Sequence, residues 1–199
     1  MNTEKHPFAP FFPNGAKYLF MGSFPPKRER WSMEFYYPNF QNDMWRIFGL
    51  LFFGDKSYFV NIKEKRFRKD AITAFLTKQH IAVYDTAVSV IRHKNNASDK
   101  DLEVTEAVDI VDIIQKLPDL KNIIATGQKA LDTIVSRLTE ENIKIRPPAV
   151  GSCVLFVIDN RRLRLYRMPS SSRAYPLALE KKAEIYSKIF NERKINRQE

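Results

Sequence analysis

KYLFMGSFPPKRERWSMEFYYPNFQNDMWRI, residues 17–47, is the stretch from which the fold is read. Its first six residues, 17–22, are mostly apolar and end at Gly22, as expected of a short buried strand. Residues 23–41 then mix three prolines, the cations Lys27, Arg28 and Arg30, and a cluster of aromatics, with no clean period. That composition predicts a long loop, and a long loop inside a compact domain is usually functional or disordered. Asn42 or Asp43 is positioned to cap a helix over 43–52, where Trp45, Ile47, Phe48, Leu51 and Phe52 are mostly spaced for burial. Strand, loop and helix in that order open an α/β arrangement.

Downstream the alternation continues. A second amphipathic helix is predicted over 66–78, then a strand at 81–84 ending at Asp85. The polar run at 92–101 reads as a surface loop and 105–116 as a helix stopped by Pro118. A strand at 121–125 leads through Gly127 into a helix over 128–138. CVLFVIDNRRLRLYRM (153–168) reads as a hairpin turning at Asp159 and Asn160, and a last helix spans 177–191. The expected fold class is α/β: a three-layer α/β/α domain around a mainly parallel sheet. One domain is expected over 1–199, with an arm at 1–16 laid over it and a basic tail at 192–199. Ligands of such sheets bind beyond the carboxyl ends of the strands. Four segments fall there: the loop after Gly22, the turn at Asp85, the turn at Thr126-Gly127, and Pro169-Ser170-Ser171-Ser172.

Composition narrows the classes. The 199 residues carry 33 Lys+Arg against 23 Asp+Glu, a formal net charge of +10, which suits a polyanionic partner or a solvated surface. With 44% hydrophobic residues the chain can fill one substantial core. A lone cysteine, Cys153, excludes an internal disulfide framework and a four-cysteine iron–sulfur cluster. His6, His80 and His93 have no metal-like spacing to each other or to Cys153, so no metal site is expected. No apolar run approaches the roughly 20 residues of a membrane helix, and the first residues do not read as a signal peptide. The expectation is a soluble, cytoplasmic monomer without membrane association. Neither a G-x-S-x-G elbow nor a P-loop or dinucleotide fingerprint is present, which argues against α/β-hydrolases and nucleotide-binding enzymes.

GSFPP (22–26), FYYPNFQNDMWRI (35–47) and MPSSS (168–172), in that order, resemble the uracil-DNA glycosylase superfamily. The nearest branches are the mismatch-specific uracil/thymine and the hypoxanthine (deoxyinosine) glycosylases. Asn42-Asp43-Met44-Trp45 is similar to the Asn-x-x-Trp element of those proteins, and ATGQKA (125–130) to their third strand and following helix. Asp85 and the Ser98-Asp99 pair stand where the hypoxanthine branch has similar residues. The resemblance covers most of residues 6–190. It implies a central, mainly parallel four-stranded sheet, no cofactor, and a partner that is DNA containing a damaged or deaminated base. The implied activity is hydrolysis of the N-glycosidic bond of a flipped-out uracil or hypoxanthine, in base excision repair. Two positions depart from the pattern. Phe24 stands where the mismatch-specific branch has a water-positioning Asn, and Ser170 where other members carry His or Asn. They motivate an alternative, a non-catalytic or altered nucleic-acid-binding member of the same fold.

The chemistry assigns the candidates. Cleavage needs a pocket for the extruded base, stabilisation of the charge it carries away, and a water for the sugar. Asn42, Asp85 and Ser170 are the catalytic candidates. The competing roles are a helix cap for Asn42 and a loop cap for Asp85. Gly22, Ser23, Phe24, Phe35, Tyr36 and Tyr37 are the base-binding candidates, the glycine for close approach and the rings for stacking. Lys27, Arg28, Arg30, Ser171, Ser172, Arg173 and Tyr175 are the DNA-binding candidates: the cations for phosphates, the serines for a phosphate or a minor-groove wedge, and Tyr175 to wedge or stack.

Overall fold

The computed structural model describes residues 3–93 and 101–190; Ser98, Asp99 and the basic tail at 192–199 lie outside them. A five-stranded sheet forms the centre, from strands β2 (Tyr18–Gly22), β5 (Ile81–Asp85), β8 (Asn122–Ala125), β9 (Ser152–Ile158) and β10 (Arg161–Arg167). The order is β5-β2-β8-β10-β9. The first four are mutually parallel, and β9 is antiparallel to β10 at the edge. The expected four-stranded sheet is thus corrected to five strands. The hairpin contributes both its arms, because its turn is two residues long and Asp159 and Asn160 both adopt left-handed φ, 49° and 60°.

Alternation along β2 sorts the core into two layers. Tyr18 and Phe20 face α1 (Met44–Phe53), α2 (Lys69–Gln79) and α5 (Leu179–Ser187), where Trp45, Phe48, Ile72, Phe75 and Tyr186 are buried. Leu19 and Met21 face the other way, towards α3 (Ile110–Lys116) and α4 (Gln128–Glu140), with Ile113, Leu131 and Ile134. Helices on both faces of the sheet make the α/β/α layering.

Two further sheets extend this core. The minor one pairs β3 (Val60–Asn61) with β4 (Arg66–Phe67), so the helix expected from 66 begins at 69. The other has the order β1-β6-β7, from β1 (Thr3–Lys5), β6 (Ala87–Arg92) and β7 (Leu102–Ala107). The helix expected over 105–116 is therefore corrected. LEVTEA pairs with β6 instead, and Asp109 starts the helix by accepting hydrogen bonds from the N–H groups of Val111 and Asp112, both at 3.0 Å. The arm is anchored by this sheet: Thr3, Glu4 and Lys5 pair antiparallel with Ile91, Val90 and Ser89.

Candidate functional site

Register alone brings the strand ends together. Gly22 pairs with Asp85, and Met21 and Arg167 each pair with Ala125, so the segments after β2, β5, β8 and β10 leave one edge of the sheet. The Thr126 N–H donates to the Met21 carbonyl (3.0 Å), and the Met168 N–H to that of Ala125 (2.9 Å).

At this edge Gly22 acts through what it lacks. A Cβ there would lie 2.6 Å from Asp85 Oδ1 and 3.4 Å from the Tyr37 ring. Only the bare glycine lets the carboxylate and the phenol close on the strand end. The Tyr37 hydroxyl is 3.0 Å from Thr126 Oγ1, and Thr126 spends its own proton on the Met21 carbonyl at 3.1 Å. Tyr37 must therefore donate to Thr126, which leaves its oxygen lone pairs for a donor on a ligand. Burial first and the Asp85 charge second hold the Tyr37 phenol well above its ordinary pKa, so it remains neutral. Tyr37 sits at φ 50°, a strained backbone for an aromatic residue.

Asp85 is buried and its Oδ2 lies 3.0 Å from His6 Nε2, a residue of the arm. The sequence reading passed over His6, and nothing local links position 6 to position 85. The available signal was a carboxylate ending a buried strand, which needs a partner from somewhere.

The other candidates are distributed around this centre. Asn42 Oδ1 accepts from the Met44 N–H at 2.9 Å, closing a local turn in front of α1, while Asp43 takes the N-cap position without a side-chain capping bond. Its segment is tied to the last loop, because the Asp43 N–H donates to the Ser171 carbonyl at 2.8 Å. Lys182, wholly buried on α5, bonds both Asp43 Oδ2 (2.9 Å) and the Ser172 carbonyl (2.7 Å). The sequence offers Asp43 only as a helix cap and does not single out Lys182. A Cβ on Gly127 would lie 3.7 Å from the Ser170 Cβ, and Ser170 Oγ accepts the Ser172 N–H at 3.2 Å. Ser171 is buried, while Ser172 and Tyr175 are half-buried. Arg173 is exposed, with its Nε 3.4 Å from Asp43 Oδ1.

The three loop aromatics separate. Phe35 and Tyr36 are core residues, 7% and 1% exposed, and the Tyr36 hydroxyl donates to the Ala9 carbonyl at 2.9 Å. Tyr37 alone of the three is only partly buried. The Ser23 carbonyl accepts from the Ala87 N–H at 3.2 Å. Phe24, Lys27 and Arg28 line an open groove of about 710 Å³ between the arm and the first loop, and Asp85, Tyr37 and Ser170 do not line it. Arg28 and Arg30 are exposed on a single 3-10 turn, Arg28 paired with Glu34. Among the described residues no cluster of three or more His, Cys, Asp or Glu side chains is placed to hold a metal ion. None of their helices is long and apolar enough to cross a membrane.

No family model matches the chain, and neither does any curated protein. Among solved structures it is similar to a solution NMR structure from Methanosarcina acetivorans that is provisionally described as a uracil DNA glycosylase. The TM-score is 0.59 at 20% identity, and the match covers 92% of this chain and 95% of that one. The two share a layered α/β/α fold over nearly their whole lengths.

Proposed function

We propose that this protein is a DNA glycosylase acting on a deaminated base, uracil or hypoxanthine, extruded from DNA. The observation that carries the reading is the convergence of Asp85 Oδ1 and the Tyr37 hydroxyl on the bare face of Gly22, at the carboxyl edge of the parallel strands. The shared fold supports it. The flipped base enters beside Gly22, and Tyr37 offers the lone pairs of its hydroxyl to a base N–H. Water adds through oxygen to C1′ of the sugar while the C1′–N bond breaks and its electron pair leaves with the base. Asp85 Oδ1 takes the water proton and later returns it to solvent, and solvent protonates the departed base. Ser170 and the backbone around Gly22 and Ser23 orient the base. Lys27, Arg28, Arg30 and Arg173 hold phosphates, with the loop of Ser171, Ser172 and Tyr175 against the strand.

Asn42 receives a different role from the one its sequence context suggests. Its side-chain oxygen is committed to the Met44 N–H, so Asp85 is the better proton acceptor and Asn42 the better positioner. That same commitment, with Phe24 facing the outer groove, favours a second reading: a non-catalytic nucleic-acid-binding protein. Oligonucleotides bearing one uracil or one hypoxanthine, single- and double-stranded, separate the two when cleavage at abasic sites is scored. The glycosylase reading expects release at stoichiometric protein. Tight, salt-sensitive binding without release would establish the second reading.

A further inference from the structure

We propose that His6 is a positioning residue of this site: it holds Asp85 through Oδ2, so that Oδ1 is presented to the reacting water. The inference rests on the glycosylase reading for its chemistry, and on the geometry of the arm for its place.

The pair is enclosed. The side chains of His6 and Asp85 are 3% and 8% exposed, and the imidazole is surrounded by rings. Tyr36 stacks on it at 5.8 Å between centroids, while Phe8, Phe24 and Tyr84 present edges at 5.9, 5.3 and 5.6 Å. The titratable groups around the pair are phenols. Tyr36, Tyr37 and Tyr84 are all held neutral, first by burial and then by the Asp85 charge. In this setting the imidazole supplies a hydrogen bond to the buried carboxylate.

Both ring nitrogens are occupied, and the partner of Nε2 is a carboxylate, which accepts and so calls for a proton on Nε2. The Phe8 N–H donates to Nδ1 at 3.2 Å, so the proton of the neutral ring sits on Nε2 and points to Asp85 at 3.0 Å. The Phe8 carbonyl is also within reach of Nδ1, at 3.0 Å. An imidazolium could donate there without turning, so the ring keeps its hold on Asp85 in either protonation state.

His6 owes its place to the arm. Pairing of Thr3–Lys5 with β6 continues into a hydrogen bond from the His6 N–H to the Val88 carbonyl at 2.8 Å, and Phe11 bridges to Val83 on β5. Outside that ladder, Arg92 clasps Glu4 at 3.1 Å. A segment at one end of the chain thereby completes a site built by the strands of the central sheet.

The test separates hydrogen bonding from packing. His6→Gln keeps an N–H donor near the Nε2 position, and His6→Phe keeps the ring but removes the donor. Single-turnover base release should stay within about fivefold of wild type in H6Q and fall about a hundredfold in H6F, the low end of what a positioned acid–base group contributes. Full release in H6F with loss in H6Q would show that His6 only fills space, and would overturn the proposal. Thermal unfolding of both variants checks that each is folded. A second measurement needs no activity: in ¹H–¹⁵N spectra of wild type, the His6 Nε2–H should give a protected resonance that disappears in Asp85→Ala. If wild type released no base while this resonance behaved as stated, the glycosylase reading would fail and the pair would stand. A missing resonance, or one that persists in D85A, overturns the pair whatever the activity.

Discussion

Gly22 shows how one absent side chain sets the distances of the site. Its Cα face is filled by Asp85 Oδ1 and by Tyr37, and a methyl group there would meet the carboxylate at 2.6 Å. Gly22→Ala should therefore fold, with Asp85 displaced, and base release should fall about a hundredfold, the effect of a misplacement near 1 Å. Single-turnover kinetics beside a thermal melt reads this directly; an unchanged rate would mean that the carboxylate is not used where it lies. Lys182 carries a different load. Lys182→Met strands the buried Asp43 carboxylate with the exposed Arg173 and the half-buried Arg46 left near it, which should cost about 3–5 kcal/mol in urea unfolding. Adding Asp43→Asn should recover part of that loss, because the uncompensated charge is then gone. At this scale the sequence was legible where chemistry is local. Gly22 at a strand end and Asp85 closing a run of apolar residues could be read from their neighbours. His6 and Lys182 could not, since their partners lie 79 and 139 residues away and only the tertiary fold supplies them.

Among the elements, the hairpin β9–β10 was fully legible, and the reason is its turn. Asp159 and Asn160 tolerate the left-handed backbone that a two-residue turn requires, at φ 49° and 60°. Asn160→Ala should lower stability by about 1 kcal/mol, the cost of that backbone for an ordinary side chain, as measured by denaturant unfolding. The strand β7 was misread because Leu102, Val104 and their polar neighbours sit beside a genuine helix start at Asp109, and the two patterns run together. Its pairing partner β6 is hidden for a related reason: Thr86 alone separates it from β5, and in the sequence the strand closes at Asp85. The arm illustrates the reverse case. Its aromatics indicated that it packs on the domain, as Phe8, Phe11 and Phe12 do. Its histidine then turned out to reach the site.

On the scale of the whole molecule, two layers of helices clamp a sheet whose carboxyl edge collects the polar groups. Burial there has a measurable signature. Tyr36, Tyr37, Tyr84 and Tyr186 are all held above the ordinary phenol pKa of about 10, with burial the leading cause. Below that pH both folded and unfolded chains keep these phenols neutral, and stability is unaffected. Above it only the unfolded chain ionises them, so stability should fall as the pH rises beyond about 10. Ultraviolet titration should show these four tyrosines ionising together with unfolding rather than before it. The net charge of +10 takes its meaning from position. Arg161 spends its guanidinium on the carbonyls of Ile114, Leu117 and Leu120 at the end of α3, whereas Arg28 and Arg30 are displayed on the exposed first loop. The central claim is that the carboxylate beside Gly22 takes the proton of a water attacking the sugar. It is tested most directly by single-turnover release of uracil and hypoxanthine from oligonucleotides, comparing wild type with Asp85→Asn while DNA affinity is followed in parallel. The account predicts release by wild type and a loss of at least about a hundredfold in D85N with binding retained. Equal release by the two proteins would contradict it.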